Sequence, residues 1–223
     1  MIIGNKNYAS VDDLPASIPV FPLTGALLLP RGQMPLNIFE PRYLAMVDAA
    51  LAGDRLIGMI QPKFSNACAG ENGLCRIGCA GRIVSYSETG DGRYLITLVG
   101  VSRFSVTGEL TTTTLFRQIK AGWEGFTHDL DKDDGQTHVD RPVLLKTFRR
   151  FLDANDMDAN WSGIEAAETE SLVNALCMMC PYGSAEKQAL LEAHDLKMRA
   201  ETLVALTEIM LARQTKDGDV VIQ

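Results

Sequence analysis

Apolar residues follow one rhythm in the first half of the chain and another in the second, and this change constrains the fold more than any other feature. Up to about residue 121 they come in short runs punctuated by proline and glycine, at residues 18–23, 26–29, 36–39 and 56–60. Runs of four to six residues suit strands more than helices. One helix is embedded among them. Tyr43, Met46, Val47, Ala50 and Leu51 recur at i, i+3, i+4, i+7 and i+8, with Pro41 suited to the first turn and Gly53 to the end. A hairpin follows, in which residues 81–86 and 93–99 flank Thr89-Gly90-Asp91-Gly92, whose glycines can take the positive φ of a tight turn. Residues 103–110 and 115–121 read as two further strands. The spacing therefore predicts a mostly antiparallel sheet, curled into a barrel, over residues 17–123.

Residues 124–140 hold six acidic side chains against the single Lys132 and read as a solvated linker. Beyond it the period is helical. Leu144, Phe148, Phe151 and Leu152 form one stripe, and Leu172, Val173, Leu176 and Met179 a second that stops before Pro181. Ser184 can cap a third helix with Glu186 in its first turn. Leu196, Arg199, Leu203, Leu206 and Met210 make a fourth stripe, with Arg199 its polar member. The class is α+β, a barrel followed by a helical bundle over 141–213, with 1–16 a polar extension and 214–223 a flexible tail.

Several function classes are disfavoured. Acidic residues outnumber basic ones 28 to 21, a net charge of −7 that repels phosphate backbones and anionic lipid surfaces. The longest uncharged stretch, 14–30, is broken by Pro15, Pro19 and Pro22 and follows Asp12 and Asp13, so neither a bilayer span nor an export signal is expected. A cytoplasmic location and reduced thiols follow as expectations. The sequence has no G-x-x-x-x-G-K-[ST], G-x-G-x-x-G, G-x-S-x-G or H-E-x-x-H. His128, His138 and His194 read as solvated or capping residues. Cys177 and Cys180 form C-x-x-C at the end of a helical stripe, where a redox pair would open one, and the spacing of Cys68, Cys75 and Cys79 is a poor second half of a zinc site. Buried, inert thiols, no metal and no cofactor are expected.

Motifs in order point to a family. Ile18-Pro19-Val20-Phe21-Pro22-Leu23, Leu29-Pro30, Leu36-Asn37-Ile38-Phe39-Glu40-Pro41-Arg42-Tyr43, Gly78-Cys79-Ala80-Gly81-Arg82-Ile83, Asp91-Gly92-Arg93-Tyr94 and Gly100-Val101-Ser102-Arg103-Phe104 lie in the first half. Glu186-Lys187-Gln188-Ala189-Leu190-Leu191-Glu192 and Arg199-Ala200-Glu201-Thr202-Leu203 lie in the second. Together they resemble the N-terminal substrate-binding domain of the Lon protease family, across about residues 17 to 211. The resemblance implies a PUA-like pseudo-barrel and a helical bundle that engage polypeptides. No residues correspond to the family's ATPase or serine-lysine peptidase, so a non-enzymatic chain is expected, a stand-alone member or else an excised fragment of a longer one.

What the resemblance implies for partners is unfolded or exposed apolar segments of polypeptides, or a protease or chaperone partner, with weak self-association; the net charge and the proline-broken 14–30 stretch add the expectation of no membrane. Because clefts between domains commonly bind ligands, the expected groove lies beside residues 36–39 and the 41–52 helix. Its candidate residues are Met34, Leu36, Ile38, Phe39, Glu40, Arg42, Tyr43 and Met46. Each has a structural alternative: Glu40 as a helix cap, Arg42 as a tie between strand and helix, and Phe21, Phe39, Tyr43 and both methionines as core. The competing class is RNA binding, since PUA-like barrels in other families bind RNA, and its one support is the cluster Arg141, Lys146, Arg149 and Arg150. A hydrolase in its own right is the third class and has no motif behind it.

Overall fold

The short runs of the first half close into a ring in the computed structural model, which describes residues 1–64, 72–131 and 138–218. A two-stranded hairpin, β1 (Ile2–Ile3) and β2 (Lys6–Asn7), precedes β3 (Ser17–Pro22), β4 (Gln33–Ile38), helix α1 (Pro41–Ala52), β5 (Leu56–Ile60), β6 (Ile77–Glu88), β7 (Tyr94–Glu109) and β8 (Gln118–Gly122). The sheet order is β4-β7-β6-β5-β3-β8, and β8 also pairs back onto β7. Five strands thus close a barrel, which removes their free edges, while β4 lies outside the ring against β7 alone. Among the strands of this sheet in the described residues, β3 and β5 pair parallel and the others antiparallel.

β7 can belong to both arrangements because it is long and bent. Its first part pairs with β4 and its last with β8. Residues 93–99 and 103–110, expected as two strands, are one strand with a bulge: Ala80 faces Ser102 and Gly81 faces Gly100, which leaves Val101 as the extra residue. Gly100 is required there. A Cβ on it would lie 2.0 Å from the Leu29 carbonyl oxygen, closer than any side chain can approach.

The second half forms α2 (Arg141–Ala154), α3 (Trp161–Ala166), α4 (Thr169–Met179), α5 (Ser184–Glu192) and α6 (Leu196–Gly218). One apolar cluster fills the barrel from Ile18, Val20, Phe104 and Ile119 out to Tyr8, Leu14 and Trp123. A second runs from Leu29, Met46, Val47 and Leu98 of the barrel half into Leu172, Val173, Leu190 and Leu203 of the bundle, so the two halves share a core.

Several expectations need correction. Residues 1–16 are anchored: Ile3, Tyr8 and Leu14 are buried, the Arg82 guanidinium donates to Asn5 Oδ1 at 2.9 Å, and the Trp123 indole donates to the Pro15 carbonyl at 3.0 Å. The acidic stretch is not simply solvated. Its Glu124–Leu130 part forms a 3-10 helix with Asp129 and Leu130 buried, while 132–137 lie outside the described residues. Met179, placed on the α4 stripe, is instead 81% exposed. α3 was not foreseen. Gly183, rather than Ser184, occupies the cap of α5, and α6 runs to Gly218, into the expected tail. Cys75 is disulfide-bonded, against the expectation of reduced thiols, and Cys68 lies outside the described residues.

Candidate functional site

The barrel and bundle are locked together by polar side chains before they form any groove. Arg103 of β7 has five guanidinium N–H donors and uses all of them. Two sides of the fork meet Asp129, at 2.9 Å from Nε to Oδ2 and 2.7 Å from Nη2 to Oδ1. The remaining donors reach the carbonyls of Leu191, Ala193 and His194, main-chain acceptors at and just beyond the end of α5 that the helix itself leaves without partners. A cation also suits that helix end. From the bundle side, Arg199 donates to the Leu190 carbonyl and to Asn174 Oδ1, and Asn174 donates to the Pro30 carbonyl at 3.0 Å. Lys187 and Gln188, in the α5 motif, reach the Gly25 and Ile77 carbonyls. These motif residues are docking groups, and the cavity of about 40 Å³ beside them holds Arg31, Arg103 and Arg199 with their carboxylate or amide partners in place.

A more open groove follows the same seam. It has a volume of about 270 Å³ and is lined by Arg31 and Gly32 of the turn before β4, by Gln33 at the start of that strand, and by Glu170, Met178 and Met179 from α4. The chain turns sharply into it. Arg31 adopts a positive φ of 64°, held by its N–H to the Gly100 carbonyl at 2.8 Å and by the Gly32 N–H to the Leu29 carbonyl at 2.9 Å. A Cβ at the following Gly32 would lie 2.6 Å from the Met178 sulfur and 3.0 Å from the Leu29 carbonyl oxygen, so a side chain there would displace Met178. Arg31 pairs with Glu170 at 2.7 Å. Burial, only partly offset by that guanidinium, pushes the Glu170 carboxyl above its ordinary value. Next to the groove, no second strand pairs with β4 among the described residues, so its outer edge presents unpaired main-chain groups.

The candidate residues split. Met34 and Leu36 are half-buried on β4, on one sheet face with Leu98 and Ile96, their partners on β7. Phe39 is 62% exposed, with the Arg93 guanidinium 6.0 Å from its ring. Glu40 makes no side-chain cap of α1 and instead accepts from Arg42, whose guanidinium also lies over the Tyr43 ring. Ile38, Tyr43 and Met46 are withdrawn as contact residues because they are core: Tyr43 packs on Phe21 at 4.2 Å between ring centres, and Met46 is fully buried. α1 packs on the barrel wall, and the groove lies at the opposite end of β4, about 17 Å along the strand from Ile38. Arg31, Glu170, Met178 and Met179 were missed. The Met178-Met179 pair just before Pro181 was the available signal, since a helix end cannot bury both side chains.

Other chemistry is absent from the described residues. They contain no cluster of His, Cys, Asp and Glu suited to a metal. His128 and His194 are exposed beside Asp131 and Asp195. Cys79 and Cys177 are fully buried, and desolvation pushes the Cys177 thiol up to about 12. No helix among the described residues is long and apolar enough to cross a membrane.

The chain is similar to known proteins along most of its length. Residues 17–208 match the family model of the ATP-dependent protease La (LON) substrate-binding domain. A Lon protease of Desulfosudis oleivorans is 25% identical over 87% of this chain, and one of Parabacteroides distasonis is 28% identical over 84%. The chain spans 24% and 23% of those relatives' lengths. Among solved structures, a Lon N-terminal domain protein from Xanthomonas campestris matches with a TM-score of 0.59 at 20% identity, covering 85% of this chain and 97% of that one. The N-terminal domain of a Mycobacterium avium complex Lon protease matches at 0.61 and 16%, covering 86% and 98%. With the fold and the family model in agreement, this chain belongs to the Lon substrate-binding domain family.

Proposed function

We propose that this chain is a non-catalytic module that binds exposed apolar segments of polypeptides along β4, with their side chains in the Met178–Met179 groove. The observation that carries this reading is the juxtaposition of an unpaired strand edge with a groove lined by methionine. An extended client can add its main chain to the β4 edge, which supplies affinity independent of sequence, while alternate side chains enter the groove. Methionine suits varied clients because its thioether has three rotatable bonds and adapts its shape. Phe39, exposed at the far end of β4, extends the apolar track. Ordering a flexible client costs much of the gain, so micromolar affinity is expected from a single module.

The test is calorimetric titration with a permanently unfolded model protein at low and high salt. Binding should be salt-tolerant and weakened about tenfold or more by Met179→Glu, since the exposed side chain can be changed without disturbing the core. Absence of binding at high micromolar concentration, or full affinity in the variant, rejects the reading. Casein incubated with the protein, ATP and magnesium should remain intact.

A further inference from the structure

We propose that α2 and α3 form a second docking groove, one that takes an acidic amphipathic segment of a partner protein. Four of the chain's 21 basic residues, Arg141, Lys146, Arg149 and Arg150, fall within residues 141–150 of a protein whose net charge is −7. They border a groove of about 540 Å³ whose lining also includes Pro142, Leu145 and two carboxylates, Asp153 and Glu165, so basic side chains outnumber acidic ones there four to two. The cations are not equivalent. Arg141 is committed to structure: it donates to Thr169 Oγ1 at 3.1 Å and to the Ile164 and Glu165 carbonyls at 2.9 and 3.0 Å, which ties α3 against α2. Arg150 pairs with Glu208 of α6 at 2.6 Å. Arg149 lies over the Trp161 ring at 4.2 Å, with Glu165 only at 3.7 Å, and Lys146 has no ion pair among the described residues. Lys146 and Arg149 are both exposed and three residues apart, so they stand on one face of α2, where Lys146 has no ion pair among the described residues and Arg149 can exchange its long contact with Glu165 for a partner's carboxylate.

The occupant follows from that pairing of surfaces. Carboxylates answer Lys146 and Arg149, while an apolar stripe answers Pro142, Leu145 and the aliphatic stems of the cations. A helix with acidic and apolar faces supplies both at once. Nucleic acid fits less well. Its bases need an open aromatic face, and Arg149 already covers one face of Trp161.

Trp161 reports on the groove by fluorescence, because Trp123, the other tryptophan, is buried in the barrel cluster. The probe is a synthetic helical peptide with a leucine stripe and glutamates on its remaining face. Three comparisons accompany it: the same peptide with glutamine for glutamate, poly-L-glutamate, and total cellular RNA. The glutamate peptide should bind with affinity that falls as salt rises, and the three comparisons should bind at least about tenfold more weakly. Lys146→Glu and Arg149→Glu should each weaken it by about fivefold or more, with circular dichroism unchanged. Lys146→Gln, which alters an exposed residue and removes one charge, should produce a smaller loss in the same direction. The proposal is overturned if the charge reversals leave affinity unchanged, if the glutamate peptide does not bind, or if poly-L-glutamate or RNA binds as tightly as the amphipathic peptide.

Discussion

Arg103 and Asp129 form a buried bidentate ion pair, 26 residues apart in sequence, that fixes the segment leaving the barrel against the strand that carries the bulge. The Arg103 main-chain N–H also donates to Asp129 Oδ2 at 2.8 Å, so one carboxylate holds both the strand and its side chain. Phe126, in the same short helix, covers the guanidinium at 4.7 Å and excludes water from it. Through Arg103 the pair reaches the end of α5, and thereby sets how the bundle sits on the barrel.

Breaking this pair from one side should be expensive. Asp129→Ala leaves a guanidinium buried without its counter-charge and should cost about 3–5 kcal/mol in urea unfolding. Arg103→Lys should also be strongly destabilising, because an ammonium has three donors where five are used and lacks the fork that fits a carboxylate. A loss below about 1 kcal/mol for both variants would show that the docking rests on apolar packing alone.

The bulge makes a separate demand. Gly100→Ala should cost about 3 kcal/mol or more, since the clash is with backbone that has no rotamer to change. Gly125→Ala, where an added Cβ meets nothing within 4 Å, should stay within about 0.5 kcal/mol and serves as the control. Equal stability of the two variants would mean that the strand relaxes at Gly100.

Local signals were legible in the sequence, and long-range pairings were not. Pro41 with the 3.6-residue rhythm gave α1 to the residue, and β5 stood out as an uninterrupted apolar run between turns. Residues 1–16 read as a polar extension because Arg82, which meets Tyr8 and Asn5, lies more than about 70 residues further on. Asp129 read as solvated for the same reason. Periodicity says which residues share a face, yet cannot say which face is covered. Met46 and Met179 both continue apolar stripes, but one is in the core and the other on the surface. The groove at the seam needs β4 and α4 side by side, and no pattern within either element encodes that contact.

The free cysteines should behave as inert core side chains. Burial pushes Cys79, Cys177 and Cys180 above the ordinary thiol value, which leaves little thiolate at neutral pH. Iodoacetamide should leave Cys79 and Cys177 unmodified in the native protein and alkylate both in denaturant, as read by peptide mass spectrometry. Rapid native labelling of Cys177 would reveal an opening of the bundle or a thiolate-stabilising environment.

Glu170 gives the seam a defined response to acid. Desolvation raises its carboxyl above the ordinary 4.5, with Arg31 pulling it part of the way back. A raised folded-state value means that the folded protein holds this proton more tightly than the unfolded chain does. Its contribution to stability is therefore fully present below about pH 4.5 and is lost as pH rises through the raised value. Paired unfolding curves of the wild type and Glu170→Gln should show the wild type losing relative stability with rising pH across that window, and not gaining it. A difference that is flat or of opposite sign would place Arg31, rather than burial, in control.

The two kinds of apolar residue around β4 should separate in a single experiment. Met46 is fully enclosed among the side chains of the second core cluster, so Met46→Asp must bury a carboxylate without a partner or open the barrel wall around α1. Loss of cooperative unfolding, or aggregation, is the expected result, and Met46→Ala should cost about 2–5 kcal/mol through the cavity it leaves. Phe39, by contrast, contributes mainly exposed surface beside Arg93, so Phe39→Asp should unfold within about 0.5 kcal/mol of the wild type. If clients lie along β4, the same variant should weaken binding of the unfolded model protein several-fold, by removing apolar area from the end of the track and placing a charge there. A stable Phe39→Asp protein with unchanged affinity would confine the client to the methionine groove. A stable, cooperative Met46→Asp protein would show that α1 is not integral to the core.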